Sequence, residues 1–234
     1  MHDENYQSID KLLYFGYDQG ATAMLYGLAK KELEFLHDVN GVVLMAPCAK
    51  MHTTKGKTGY SFYSSMSKMS DLLNLHALSG TNWDKIRAFV CVHIATSWCQ
   101  QDISWEPEYF SHKALRHLLQ NGIEDRFQEY SDNYAKNKRF RLTADIPIQN
   151  IRHMPVTIMT SDNDDVCPAH QARWIFNKIK TMEKRYILVR NMQHERFATA
   201  SDEAFMHDIA RSMATGSEYG QEEVSIDELM QLCG

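Results

Sequence analysis

The stretch KLLYFGYDQGATAMLYGLA, Lys11–Ala29, decides how the chain reads. Leu12, Leu13, Tyr14 and Phe15 form a short apolar strand pattern, Gly16-Tyr17-Asp18-Gln19-Gly20 follows, and a helical pattern then begins. Strand, sharp turn and helix are the setting of a G-x-S-x-G nucleophile elbow, which thrusts its central residue out at the carboxyl end of the strand. The two glycines allow a tight turn and close packing of strand on helix. The central residue here is Asp18, not serine. An acid in the first turn of a helix also suits the helix dipole. Taken alone, the stretch is therefore matched equally by a plain strand-to-helix turn.

Outward from the elbow, Ala21, Leu25, Leu28 and Leu36 share one helical face, and Asn40-Gly41 stops the helix. Residues 41–46, GVVLMA, are a continuous apolar run ending at Pro47. Such runs suit parallel strands buried on both faces. Residues 48–150 change character, with serines, Gly56, Gly59 and clusters of Met, Tyr and Trp. Helices are expected there at about 67–78, 83–95, 111–121 and 122–135, with no strand signal. The alternation resumes with a strand at 155–160, an acidic turn at 161–167, Pro168 opening a helix, and a strand at 185–189. A loop carrying His194 leads to a helix at about 200–214. The acidic tail includes Ser225-Ile226-Asp227-Glu228, a capping-box pattern for a short helix. No internal repeat is visible.

This ground plan predicts an α/β fold: a parallel sheet of about four strands flanked by helices, with right-handed crossovers. The core would be 1–47 and 151–216, with a helical cap insertion at 48–150 and an acidic tail at 217–234. A chain of 234 residues can bury a core of that size. The net charge of -5 argues against nucleic acid as a partner. The one basic cluster, residues 136–141, reads as a solvated face. No apolar run approaches the ~20 residues of a membrane span, and the polar start of the chain does not read as a signal peptide. The five cysteines, Cys48, Cys91, Cys99, Cys167 and Cys233, are odd in number and lack metal-finger spacing. They are expected as buried free thiols, with a Cys91–Cys99 disulfide as the alternative. With no Asn-x-Ser/Thr site, they favour a reducing compartment. His112 and His117 are five apart, on different helix faces, and no HExxH occurs, so no metal and no cofactor are expected.

Three chemistry-bearing stretches fall in order. Asp18 follows the first strand, Asp162-Asn163-Asp164-Asp165 the third, and His194 the fourth. Nucleophile, acid, histidine is the α/β-hydrolase order, and the carboxyl ends of parallel strands are where such sheets hold ligands. The histidine serves as base and the acid fixes its tautomer and stabilises its cation.

On these residues the sequence resembles the acid lipases, the gastric and lysosomal branch of the α/β-hydrolases. The elbow YFGYDQGAT, 14–22, is similar to that family's Tyr-Val-Gly-His-Ser-Gln-Gly-Thr-Thr, and Met45-Ala46-Pro47 to its Leu-Ala-Pro. Similarity recurs at Ala114–Gln120 and Phe127–Tyr130. It closes with the acidic turn Thr160–Asp165 and with Gln193-His194-Glu195-Arg196-Phe197, similar to Asn-His-Leu-Asp-Phe. The resemblance spans nearly the whole chain but only the C-terminal half of the family's fold. It implies Asp164 as triad acid, His194 as base, the Gln19 N–H as half of an oxyanion hole, a lipid ester or other apolar substrate, and a secretory or lysosomal setting. Two departures follow. An aspartate at the elbow resembles the epoxide hydrolases and haloalkane dehalogenases, which form an alkyl ester on the carboxylate and cleave it with histidine-activated water. Tyr60, Tyr63, Trp105 and Tyr109 are candidate donors for such a substrate. The family's strands before the elbow are also missing from the match. With them goes the loop that carries the second oxyanion N–H. Leu12–Phe15 then becomes an open sheet edge, expected to be covered by an upstream segment or a protein partner. Three functions stand: lipid-ester hydrolase by lineage, non-catalytic lipid-binding or structural relative, and Asp-nucleophile hydrolase of epoxides or alkyl halides.

Overall fold

The computed structural model describes residues 11–50, 77–79, 109–131, 143–199 and 221–225. They belong to two compact units, residues 1–49 with 145–234, and residues 50–144.

The first unit is built on one parallel sheet. Its strands are β1 (Leu12–Tyr17), β2 (Val39–Met45), β5 (Val156–Ser161), β6 (Lys184–Arg190) and β7 (Gln221–Ser225), in the order β1-β2-β5-β6-β7. The four apolar runs expected as strands form four of them. The fifth falls in the stretch read as an acidic tail. Its sequence, QEEVS, lacks the apolar run that marks a buried strand, and it sits at the sheet edge. The central strands β2 and β5 are buried almost throughout, whereas β1 is half-exposed along most of its length. Among the described residues β1 pairs only with β2, so its outer edge is open.

Helix α1 (Gln19–Asp38) crosses from β1 to β2, and α3 (Ala169–Lys178) from β5 to β6. Ala21, Leu25 and Leu28 of α1 are buried, as its periodicity foretells, with Ala29 beside them, while Leu36 is only half-buried. Lys31 leaves helical geometry (φ -146°, ψ 40°) and kinks α1. The next residue, Glu32, sits on the same buried face. Its Oε1 accepts the backbone N–H groups of Arg152 (2.7 Å), His153 (2.7 Å) and Met154 (2.9 Å), and its Oε2 meets His153 Nδ1 at 3.1 Å. One carboxylate thus ties α1 to the loop that feeds β5. No described helix is long and apolar enough to cross a membrane.

The second unit is inserted between β2 and β5. It contains a small antiparallel pair, β3 (Ala77–Ser79) and β4 (Tyr109–Ser111), where the sequence showed no strand signal. Helix α2 (His112–Glu124) follows, close to the expected 111–121. The helix expected over 122–135 does not form as such. The chain turns at Asp125 in the left-handed region (φ 48°, ψ 39°) and residues 126–131 are not helical. Side chains hold that departure. Gln120 donates to the Glu129 carbonyl (2.8 Å) and accepts from Ser131 N–H (3.1 Å), and Asn121 accepts from Gln128 N–H (3.1 Å). These amides offer the backbone partners that compete with helical ones. The helices expected at 83–95, 200–214 and after Ser225 lie outside the described residues, as do Cys91, Cys99, Cys233 and most of 67–78.

Candidate active site

Asp18 terminates β1, and its geometry is unlike the cap of an ordinary helix. The residue has φ 47° and ψ -109°, and its side chain makes no capping hydrogen bond to α1. Positive φ is costly for a residue with a Cβ and persists only where its surroundings impose it. They do so here. Asp18 N–H donates to the Met45 carbonyl (3.0 Å), extending the β1–β2 ladder, while the Asp18 carbonyl accepts Thr22 N–H and Thr22 Oγ1–H at 3.0 Å each. Strand and helix therefore both claim the same residue. The plain-turn reading, an acid placed to suit the helix dipole, has no capping bond behind it.

The two glycines flanking the elbow differ. A Cβ on Gly16 would lie 2.7 Å from the Tyr14 ring, 2.8 Å from Ala21 N and 2.9 Å from the Gly20 carbonyl carbon. Backbone blocks that position, so glycine is required. A Cβ on Gly20 would meet only Tyr14 Oη, at 3.6 Å. Of the two glycines expected to allow the tight turn and close packing, only the first is barred from carrying a Cβ.

Asp164 and His194 come from the loops after β5 and β6. Asp164 Oδ2 lies 2.8 Å from His194 Nδ1, and both side chains are buried. Asp164 Oδ1 accepts the N–H groups of Val166 (2.9 Å) and Cys167 (2.7 Å), which fixes the carboxylate's orientation. The loop of His194 is tied down twice. Ser161 Oγ donates to the Met192 carbonyl (2.5 Å), and Asp162 Oδ1 accepts Asn191 N–H (2.7 Å). The Tyr17 ring packs on the imidazole with centroids 5.0 Å apart.

The charges of this rim shift one another. Burial pushes the Asp18 carboxyl above the ordinary aspartate range. The nearby His194 and a backbone hydrogen bond from Gln19 work against that rise, while Asp164 adds to it. Burial by itself would lower the His194 pKa. The Asp164 hydrogen bond and the charges of Asp164, Asp18 and Glu195 outweigh it and raise the imidazole above its usual value.

Two residues absent from the expected site stand beside Asp18. Cys48, after β2, and Cys167, in the acidic turn, form a disulfide with Cα atoms 5.0 Å apart, bridging 119 residues of sequence. Free thiols were expected at both. Each is buried as expected, but the ends of β2 and β5 bring them together, which no sequence spacing conveys. The argument from free thiols to a reducing compartment loses its footing. Cys167 Sγ lies 3.4 Å from Asp18 Oδ1. The usable signal was positional: both cysteines sit just past strand carboxyl ends, on the rim that carries the acids. Tyr60, Tyr63 and Trp105 lie outside the described residues, and Tyr109 belongs to β4 of the other unit.

Asp18, Cys48, Asp164 and His194 thus follow four adjacent parallel strands and gather on one rim of the sheet. Adjoining strands, a carboxylate at a strained elbow and a buried His–Asp pair together define an α/β-hydrolase type of architecture. One solved structure supports the fold. A soluble variant of the monoglyceride lipase of Saccharomyces cerevisiae, solved with a substrate analogue, superposes with a TM-score of 0.51 at 14% identity, covering 89% of this chain and 63% of that one. The monoacylglycerol lipase of Paleococcus ferrophilus gives 0.48 at 14% identity, covering 88% and 69%. Alpha/beta hydrolase domain-containing protein 10 from mouse gives 0.45 at 10% identity, covering 91% and 66%. The chain spans roughly two thirds of the length of these structures. No family model and no curated protein matches the sequence. The chain carries part of the α/β-hydrolase fold, as its strand pattern foretold.

Proposed function

We propose that the chain is a hydrolase of acid-lipase descent in which a carboxylate has replaced the hydroxyl nucleophile. Its substrate is an apolar molecule with a cleavable bond at a saturated carbon, such as an epoxide or alkyl halide. The observation that carries this is the placement of the Asp18 carboxyl: it stands at the strained elbow, φ 47°, on the rim that holds the buried His194–Asp164 pair, where a serine elbow would present its hydroxyl.

The chemistry follows from that placement. An Asp18 oxygen attacks the saturated carbon and an alkyl ester forms on Asp18 as the carbon–halogen bond breaks to release halide, or as the epoxide carbon–oxygen bond breaks to an alkoxide that takes a proton from solvent water. With Nδ1–H donated to Asp164, Nε2 of His194 is the atom that takes a proton from water. The hydroxide adds to the Asp18 carbonyl carbon. Negative charge develops on the Asp18 oxygen in the tetrahedral adduct. Its collapse expels the alkyl oxygen, which takes the proton from His194 Nε2 and leaves as the alcohol, and Asp18 loses its remaining proton to solvent to restore the carboxylate. Attack on an acyl carbon would instead leave an anhydride, a poorer intermediate, which disfavours ester cleavage at the acyl carbon.

A second reading, a non-catalytic lipid-binding or structural relative, is favoured by a different observation. Burial raises the Asp18 pKa, and a protonated carboxyl is a weak nucleophile. One set of assays separates the readings: wild type and Asp18→Ser on a short-chain ester, and wild type and Asp18→Asn on an epoxide. Epoxide turnover lost in Asp18→Asn supports the carboxylate nucleophile. Ester turnover by wild type restores the lipase reading. Inactivity on both substrates supports the non-catalytic relative.

A further inference from the structure

The site holds more metal-ligating chemistry than a hydrolase of this kind uses. One carboxylate oxygen of Asp18 and the Sγ atoms of Cys48 and Cys167 lie within 4.8 Å of one another. A second set shares one member: Asp164, Cys167 and His194 each offer an atom within 4.8 Å of the others. We propose that Cys48, Cys167 and Asp18 bind a thiophilic divalent cation of the zinc class when the Cys48–Cys167 bond is reduced, so that this pair holds either a disulfide or a metal.

The donor types fit. Two thiolates and one carboxylate suit zinc, and three protein ligands leave a fourth position open. The distances fit as well. Tetrahedral zinc with Zn–S of about 2.3 Å and Zn–O of about 2.0–2.2 Å sets its ligand atoms roughly 3.5–3.8 Å apart. Cys167 Sγ and Asp18 Oδ1 already stand at 3.4 Å. The two sulfurs must separate, by rotation of their side chains, while Cys48 Sγ starts within 4.8 Å of the Asp18 carboxylate.

The backbone behind each ligand is fixed. Asp18 is held at the elbow. Cys48 N–H donates to Thr22 Oγ1 (3.0 Å), and Cys167 N–H donates to Asp164 Oδ1 (2.7 Å). Such a frame lowers the ordering cost of loading a metal. His194 stands beside Cys167 with Nδ1 on Asp164, the carboxylate–histidine arrangement that frees Nε2 for a metal or its bound water.

The change of state balances with a thiol reductant. A small dithiol is oxidised to its own disulfide, and Cys48 and Cys167 take up two electrons and two protons. Zinc binding then releases those two protons to solvent. This inference does not rest on the proposed hydrolysis, because its readout is metal binding. Asp18 cannot be ligand and nucleophile at once, so a bound cation would block the carboxylate chemistry.

Cobalt(II) is the probe. The full chain is reduced with a dithiol, desalted without oxygen, checked by thiol titration and titrated with Co2+. The expected result is a thiolate-to-cobalt charge-transfer band that saturates at one equivalent, is displaced by Zn2+, and is missing in the oxidised chain. Cys48→Ser and Cys167→Ser should each abolish it. Asp18→Asn keeps both thiols and should weaken binding by more than the ~10–100-fold typical of an outer-shell partner. Circular dichroism confirms that each variant is folded. Absence of the band in the fully reduced wild type overturns the proposal. So does a band that survives in folded Cys48→Ser, or a pair that a dithiol cannot reduce in the folded chain.

Discussion

Two carboxylates, the buried Glu32 under the loop into β5 and the half-buried Asp18 on the strand-end rim, differ in how fully they are satisfied. Burial raises the pKa of both, yet Glu32 ends below its ordinary value and Asp18 above. Glu32 receives the N–H groups of Met154, His153 and Arg152 together with the His153 ring, and these outweigh its desolvation. Asp18 has one backbone donor and a histidine, which do not. A carboxylate that serves as an anchor is given every donor it can accept. Asp18 is left short of them, and its unmet need is what a substrate, a proton or a cation can fill.

The largest expected effect tests the rim. Asp18→Asn keeps the shape and removes the carboxylate proposed as nucleophile. Turnover of an epoxide should fall by about 10⁴–10⁶-fold, the range seen when a member of a catalytic unit is removed. Single-turnover kinetics with mass detection of an ester on Asp18 checks it directly. Retained turnover would make Asp18 a bystander and erase the contrast with Glu32.

The anchor is next. Glu32→Ala leaves three consecutive N–H groups without their acceptor and should cost about 3–5 kcal/mol in chemical denaturation. The sign of its pH dependence is set by the lowered pKa. Glu32's contribution is complete above the unfolded glutamate value and is lost as pH falls through the lower folded value. Acid unfolding of wild type should therefore show a limb that Glu32→Gln lacks. For Asp18 the sign reverses. Its raised pKa favours folding below the unfolded aspartate value, and that contribution is lost as pH rises through the folded value. Asp18→Asn should then raise the stability of the chain near neutral pH, as chemical denaturation would show.

His194 allows a finer test of the rim. Its pKa is raised, so the imidazole becomes a free base only above the ordinary histidine range. The acid limb of any His194-dependent rate should lie on the alkaline side of an unperturbed histidine. Its titration, followed by NMR, should move to lower pH in Asp164→Asn, because the hydrogen bond that raises it is weakened. An unmoved titration would mean that Asp164 does not govern this imidazole.

Much of this was legible before any coordinates, for definite reasons. Runs such as 41–46 and 155–160 are apolar on both faces, which only a buried parallel strand tolerates over so short a length. Asp18, Asp164 and His194 stood out because each follows such a run. Glu32 was missed, since a lone glutamate in a helix reads as solvated. Yet it lies four residues after Leu28 and seven after Leu25, on the apolar stripe, and that placement was the available signal. The Cys48–Cys167 pairing was out of reach, because a bridge over 119 residues depends on which strands become neighbours. β7 was missed because its residues are polar, and the turn at Asp125 because side-chain amides of α2 outcompeted helical propensity.

The outer edge of β1, unpaired among the described residues, bears on the same rim, since β1 delivers Asp18. Its half-exposed apolar residues, with Leu12 67% exposed, are a surface that a further strand or a partner would cover. Size-exclusion chromatography with light scattering should find the chain associated, and Leu12→Lys should weaken that association by a modest factor. A well-behaved monomer would count against a covered edge.

The smallest expected effect separates the two elbow glycines. Gly16→Ala forces a Cβ against Ala21 N and the Gly20 carbonyl carbon, both backbone, and should destabilise by about 1–3 kcal/mol. Gly20→Ala meets only the Tyr14 hydroxyl at ordinary contact and lies inside α1. It exchanges a poor helix former for the best one and should stabilise by up to about 1 kcal/mol. The two changes sit four residues apart on either side of Asp18, so their opposite signs would locate the strain of the elbow on its strand side. If both proved equally costly, the elbow would be strained through the first turn of the helix as well. The frame that holds Asp18 short of donors would then be broader than Gly16 alone.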